Sequence, residues 1–383
     1  MRRHVPRVLL DGCRSERRPG SSRSGGSSLE ERLRSVIRVV RASVVALALG
    51  TVLLGCSRGS SSQTAPSTSS GISTTTATAL STVYEPYANA RVAVDPQGTV
   101  TEATITTPDG RVRRYRTYVP ASLVVGTKVP LLVALHGGLG HAEQFETNSG
   151  FDGLADSNQF VVVYPDGTNA QADSRKLLTW NGGMCCGAAA AQNVDDVGFI
   201  AQVIDAVVAA LPIDEHRVFA TGHSNGAILS YRLACELGDR ISAIGVQAGV
   251  LGVPCTPTKP VSVFHVHGLA DTNIPIGGGR GTGVSGVVFP SPREAPLVFA
   301  QSNRCTLGPV DQFDPNNPDV VAQTWSGCSE SRSVQFVTVA GASHAWMGHS
   351  AVNSGAVSLV GVPYQGFDAS RAIWSFLAAQ PSR

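Results

Sequence analysis

Predominantly apolar runs recur along this 383-residue chain at 130–135, 160–164, 218–220, 241–246, 261–266 and 334–339. Runs rich in Val, Ile and Leu, without polar alternation, predict parallel strands buried on both faces. Ahead of them, 101–107 and 111–119 alternate polar and apolar residues around Pro108-Asp109-Gly110, which predicts an antiparallel hairpin. Helical spacing appears between the runs. Over 194–211, Phe199, Ile200, Val203, Ile204, Val207, Val208 and Leu211 fall on one face at three- and four-residue intervals. Segments 227–237 and 368–378 are further helices, the second with Asp368 as its N-cap. A hairpin followed by alternating strand and helix predicts an α/β architecture, a mostly parallel central sheet flanked by helices. The stretches 170–193 and 274–325 carry neither period and predict irregular excursions over one edge of the sheet. No internal repeat is visible.

The N-terminal region has a different character. Residues 1–41 hold eleven Arg against four acids, although the whole chain has a net charge of only +2. The remainder then carries 19 basic and 24 acidic residues, so the body is mildly acidic and lacks the basic footprint of a nucleic-acid binder. The apolar run 42–54 is shorter than the roughly 20 residues that span a bilayer as a helix. A basic region, a short apolar core and a small residue together make a secretory signal. Leu53-Leu54-Gly55-Cys56 resembles the lipobox of bacterial lipoproteins, in which Cys56 would become the lipidated N-terminus; ordinary signal cleavage is the alternative. Residues 1–31 mix acids and bases unlike a signal peptide, so the expected start lies near 32–39. Ser, Thr, Gly and Ala dominate 57–83, which predicts a flexible tether, and 84–383 is the expected catalytic domain.

Eight cysteines are present. Cys13 lies in the leader and Cys56 is the expected lipid site. Cys185, Cys186, Cys235, Cys255, Cys305 and Cys328 remain, an even number that favours disulfides in an exported chain. Cys305 and Cys328 are the favoured pair; the other four allow three connectivities, including a vicinal Cys185–Cys186 bridge. No C-x-x-C pair occurs, which argues against zinc, and no metal is expected.

The chemistry centres on Gly222-His223-Ser224-Asn225-Gly226, between the apolar residues 218–220 and the helical segment 227–237. A G-x-S-x-G pentapeptide between strand and helix is the signature of a nucleophile elbow, a turn so tight that only Gly fits two residues either side of the Ser. By itself it is weak in a chain with 41 Gly. The surroundings strengthen it. An α/β-hydrolase carries its groups in the order Ser, acid, His, with the acid and the His after late strands. The run 261–266 leads to Asp271, and 334–339 leads to His344. Ser224 is therefore the expected nucleophile, His344 the base and Asp271 the residue that orients the imidazole. The oxyanion would take backbone N–H groups from Asn225 and, in Leu135-His136-Gly137-Gly138, from Gly138, with Leu139 in reserve.

Competing assignments are weaker. Gly348-His349-Ser350 lacks both the second Gly and an immediately preceding strand. Asp195-Asp196 suits helix capping better than catalysis. His265 and His267 share one side of a strand and, with Asp271, imitate a metal site, but without further ligands they suit packing and hydrogen bonding. Trp180 and Trp346 lie in loops; each either stacks on a phenolic or sugar ring of a substrate or buries its own loop. Two other classes stay open, a serine peptidase of the same fold and a non-catalytic surface-binding protein.

Seven motifs carry a family resemblance. They are Leu135-His136-Gly137-Gly138, Tyr164-Pro165-Asp166-Gly167, Trp180-Asn181-Gly182-Gly183 with Cys185-Cys186-Gly187, Val194-Asp195-Asp196-Val197-Gly198-Phe199, the elbow, His267-Gly268 with Asp271, and His344-Ala345-Trp346. Over about residues 100–378 the chain resembles the secreted polyhydroxybutyrate depolymerase and feruloyl/acetylxylan esterase group, including mycobacterial-type esterase lipoproteins. The resemblance implies an α/β-hydrolase fold, the same Ser224, Asp271 and His344, and an ester substrate, small or oligomeric, with no cofactor. With the mildly acidic body, no nucleic-acid partner is expected, and with the lipobox at Cys56 a membrane contact is expected only through a lipid anchor. Met347, where the group usually has Pro, and Gly341-Ala342-Ser343, where it often has three Gly, depart from the pattern at the substrate mouth.

Overall fold

The computed structural model describes residues 81–383 apart from 125, 172–173 and 352–353. The leader with Cys13, the lipid site Cys56 and nearly all of the tether lie outside the described residues. The chain enters through the hairpin β1 (Thr99–Thr106) and β2 (Val112–Val119), then β3 (Val129–Leu135), α1 (Ala142–Ser149), α2 (Phe151–Asn158) and β4 (Val161–Pro165). There follow α3 (Gly187–Ala191), α4 (Asp196–Ala210), β5 (Ile213–His223), α5 (Asn225–Glu236), β6 (Ala243–Gln247) and β7 (Ser262–Gly268). Beyond them come the short ladder β8 (Gly279–Arg280) and β9 (Val288–Phe289), α6 (Glu294–Ser302), β10 (Leu307–Phe313), β11 (Val320–Ser326), β12 (Val334–Val339), α7 (Ser354–Val360) and α8 (Ala369–Ala378).

Ten strands form one sheet in the order β1-β2-β4-β3-β5-β6-β7-β12-β11-β10. From β4 to β12 every neighbouring pair is parallel, and the outer pairs are antiparallel. Strand alternation sends successive side chains to opposite faces. Leu131, Val133, Val161, Val163, Val263 and Phe336 pack on one face with α4, α5 and α6. Leu132, Ala134, Val162, Phe264 and Val337 pack on the other with α1, α2 and α8. Burial on both faces is why these strands are predominantly apolar, and the arrangement is an α/β-hydrolase fold.

Besides the five-residue α3 inside the stretch 170–193, the structure differs from the sequence expectation in two places. The segment between β3 and β4 holds α1 and α2, each of eight residues, separated by Gly150 at φ 65°. Both are too short and too polar for a helical period to stand out. The stretch 274–325 is not irregular throughout, because it contains α6, β10 and most of β11, and the last two extend the sheet away from the elbow. The strand β10 is an exposed edge with no unbroken apolar run. Asp368 does cap α8, its carboxylate accepting from the N–H of Arg371 at 2.9 Å.

Candidate active site

β5 ends at His223 and α5 begins at Asn225, so a single residue makes the turn. Ser224 takes φ 53° and ψ −116°, a conformation that costs a non-glycine residue roughly 1–3 kcal/mol. The flanking glycines have separate reasons to be there. A Cβ at Gly222 would collide with the backbone of Gly226, and one at Gly226 with the carbonyl of Leu135, where α5 crosses β3. Two hydrogen bonds hold the turn: the N–H of Ser224 donates to the Gln247 carbonyl of β6 at 3.0 Å, and the Ser224 carbonyl accepts from Ile228 at 3.0 Å.

The structure brings the other two candidates to this serine. His344 Nε2 lies 2.8 Å from Ser224 Oγ, and its Nδ1 lies 2.7 Å from Asp271 Oδ2. The second oxygen of Asp271 accepts from the N–H groups of Asn273 and Ile274 at 2.8 and 2.9 Å. Burial pushes the Asp271 carboxyl up, but the hydrogen bond and charge of His344, with His267 and the Ile274 N–H, outweigh it and hold the carboxyl below its ordinary range. The loops bearing acid and base lie against each other. Ala270 donates to the Ala342 carbonyl at 3.0 Å, and a Cβ at Gly268 would overlap that same oxygen, so only glycine allows the approach.

Two residues that the sequence did not single out for the role hold the base loop. Gln247, beside His223 in the sheet register, donates to the Ala345 carbonyl at 2.8 Å and accepts from the Met347 N–H at 3.0 Å. His223 Nε2 donates to the His344 carbonyl at 2.7 Å. Its burial, reinforced by the neighbouring His344, lowers its pKa to about 3, so the ring stays neutral. The only advance signal for Gln247 is a polar residue ending an apolar strand next to the elbow strand.

On the other side of Ser224 lies the glycine loop after β3. As the first residue of α5, Asn225 has no acceptor for its N–H within its own helix. The Leu139 N–H is spent on the Leu178 carbonyl at 2.7 Å, which removes the reserve donor and leaves Gly138 as the loop's candidate. His136 braces this loop. Its Nδ1 donates to the Gly137 carbonyl at 2.8 Å and its Nε2 accepts from the Gly167 N–H at 3.0 Å. Burial lowers its pKa to about 4, so it too stays neutral.

Trp180 does not reach substrate. It is fully buried, with its indole N–H on the His136 carbonyl at 3.0 Å, and the Asn225 side chain clamps its backbone N–H and carbonyl at 2.7 and 3.0 Å. Of the two alternatives for Trp180, substrate stacking or burial of its own loop, the buried ring that does not line the cavity fits the second. Trp346 lines the cavity, but Phe145 meets its ring edge-on at 5.2 Å and its N–H donates to Ser370 Oγ at 2.9 Å, so it is a fixed wall. Asp195 caps α4 through the Gly198 N–H at 2.8 Å. Asp196 departs from the capping expectation, forming a buried 2.7 Å pair with Arg113 and accepting from the Asn181 N–H, also at 2.7 Å. The ring nitrogens of His265 and His267 bond to each other and to Tyr231 and Ile274. Cys235 is bonded to Cys255, Cys305 to Cys328, and Cys185 to Cys186.

Above Ser224 opens a cavity of about 610 Å³. Its walls include Phe145, Ile228, Ile274, Phe289 and Trp346, and Gln144 and Asn148 add amide groups from α1.

The esterase PHB depolymerase family model matches residues 113–266. Feruloyl esterase B of Piromyces equi is 27% identical over 234 residues, 59% of this chain and 41% of that protein. A bifunctional acetylxylan esterase/xylanase of Neocallimastix patriciarum is 27% identical over 243 residues, 61% of this chain and 31% of that protein. The chain thus spans less than half the length of these two relatives. Among solved structures, an acetyl xylan esterase from Aspergillus awamori superposes with a TM-score of 0.49 at 16% identity, covering 65% of this chain and 94% of that one.

Proposed function

We propose, from the membership of residues 113–266 in the esterase PHB depolymerase family, that this chain is an exported serine esterase cleaving carboxylic esters through an acyl-enzyme. The observation that carries the reading is the continuous Ser224–His344–Asp271 contact beneath an open cavity. Ser224 Oγ attacks the ester carbonyl while His344 Nε2 takes its proton, and Asp271 stabilises the imidazolium. The Gly138 and Asn225 N–H groups receive the oxyanion, aided by the positive end of α5. Collapse expels the alcohol, protonated by His344. Water, deprotonated by the same imidazole, then releases the acid and restores the serine. This sequence needs no cofactor.

The relatives named above act, by name, on feruloyl and acetylxylan esters, and a cavity of about 610 Å³ is in the range that holds small-molecule ligands. We assign soluble or oligomeric esters of this kind as substrates, in preference to insoluble polyester. Three disulfides suit an oxidising compartment, and Cys56 is the proposed lipid-attachment residue. A panel of p-nitrophenyl, feruloyl and hydroxybutyrate esters tests the reading. The expected result is turnover of aryl or acetyl esters that disappears in Ser224→Ala. Clearing of a polyhydroxybutyrate suspension without turnover of methyl ferulate would overturn the substrate assignment, and undiminished turnover by Ser224→Ala would overturn the mechanism.

A further inference from the structure

Behind the acid runs a chain of buried polar side chains that the reaction steps do not use. Tyr231 on α5 and His265 and His267 on β7 are all fully buried. The Tyr231 hydroxyl lies 2.8 Å from His265 Nδ1, His265 Nε2 lies 3.1 Å from His267 Nδ1, and His267 Nε2 lies 2.9 Å from the Ile274 carbonyl. That last partner sets the direction of the whole chain, because a carbonyl only accepts. His267 must carry its proton on Nε2, so its Nδ1 accepts. His265 must then donate from Nε2 and accept at Nδ1 from the tyrosine hydroxyl. The same His267 Nε2 stands 3.4 Å from Asp271 Oδ2, the oxygen bonded to His344.

We propose that Tyr231, His265 and His267 are positioning residues for the acid of the triad. The chain holds His267 in its Nε2–H form, which aims one N–H at both the Asp271 carboxylate and the Ile274 carbonyl and seats the carboxylate against His344. This rests on the proposed role of Asp271. With the opposite tautomer, a ring lone pair would face a carbonyl and a carboxylate together. With a protonated His267, a second cation would compete with the His344 imidazolium for the same oxygen. Burial disfavours that cation, lowering His267 to about 4 and His265 well below its ordinary value. The remaining groups facing His267 are Asp271, His344 and Arg293.

Long-range ¹H–¹⁵N spectra of histidine-labelled wild type read the tautomers directly, independently of activity. Both His265 and His267 should be neutral Nε2–H forms. In parallel, kcat and KM are measured for His267→Leu, His267→Gln and Tyr231→Phe. The Gln amide replaces the Nε2–H donor, whereas Leu removes it. We expect His267→Leu to lose about 10- to 100-fold in kcat with KM within about 2-fold, because displaced catalytic geometry costs rate more than binding. His267→Gln should recover most of that loss, and Tyr231→Phe should fall between. If His267→Leu does not fold, the near-isosteric Tyr231→Phe and the spectra carry the decision. An Nδ1–H form at either histidine, equal losses in the Leu and Gln variants, or unchanged kcat in Tyr231→Phe would overturn the positioning role. Loss of the triad reading would show separately, as a wild-type activity indifferent to Ser224→Ala.

Discussion

The floor and the rim of the cavity are built in opposite ways. On the floor, Asp271 and His344 are 4% and 3% exposed, and each is held by backbone and side-chain partners from neighbouring strands or loops. On the rim, Val284 and Leu359 are 73% and 51% exposed, and α7 buries none of its residues. Side chains tie this segment to the floor loops through Asn273 Nδ2 to the Leu359 carbonyl and Ser343 Oγ to the Val362 carbonyl, both 2.8 Å. A reaction that depends on sub-ångström placement needs the first kind of construction. Choosing among esters needs only surface that can be altered without disturbing the chemistry. The contrast implies that floor substitutions abolish turnover whatever the substrate, and that rim substitutions reweight substrates.

The largest effect should come from the reacting groups. Ser224→Ala and His344→Ala should each lower kcat by roughly 10⁴- to 10⁶-fold, with thermal unfolding close to wild type. A loss of only a few-fold would remove the distinction between floor and rim. Next come the glycines that let the floor close. Gly268→Ala forces the acid loop off the Ala342 carbonyl, and we expect about 100-fold lower kcat together with a lower Tm, because both effects follow from one steric overlap. An alanine at Gly277, around which space is open, is the matched control and should change neither.

The floor also has a pH signature. His136 and His267 are held at about 4 and His223 at about 3, against an unfolded value near 6.5. The unfolded chain therefore binds protons that the folded chain refuses, and stability falls as the pH drops from about 6.5 towards 4. The Asp271 carboxyl, held below its ordinary range, contributes stability above the unfolded carboxylate pKa of about 4 and loses it as the pH falls through its lowered value. Both effects act on the acid side. His223→Gln keeps an N–H donor for the His344 carbonyl but cannot titrate, so Tm against pH should fall less steeply below about 6.5. An unchanged slope would contradict a neutral buried His223. The smallest effects belong to the rim. Leu359→Ala and Val284→Ala should shift KM by a few-fold, differently for feruloyl and acetyl esters, with Tm within about 2 °C of wild type.

The same contrast explains what could be read from the sequence. Strands buried on both faces must be predominantly apolar, so the parallel core was legible as apolar runs. The elbow, Asp271 and His344 were legible because their loops follow those strands. The edge strand β10, its neighbour β11 and the helices α1 and α2 were not, because β10 and β11 lack the clean alternation of the β1–β2 hairpin and eight-residue helices leave no strong period. Gln247 was hidden because its role depends on register with His223, a relation between strands rather than along the chain. Trp180 shows another limit. A tryptophan in a loop left substrate stacking and burial of its own loop both open in the sequence, and only the clamp from Asn225 and the buried indole separate them.

The central claim is that Ser224 is the nucleophile, activated through His344 and Asp271. Intact-protein mass spectrometry after treatment with a serine-directed fluorophosphonate tests it most directly. The account predicts one adduct on the wild-type chain, mapped to Ser224, none on Ser224→Ala, and strongly slowed labelling of His344→Ala. Equal labelling of wild type and Ser224→Ala, or no labelling of folded wild type, would contradict it.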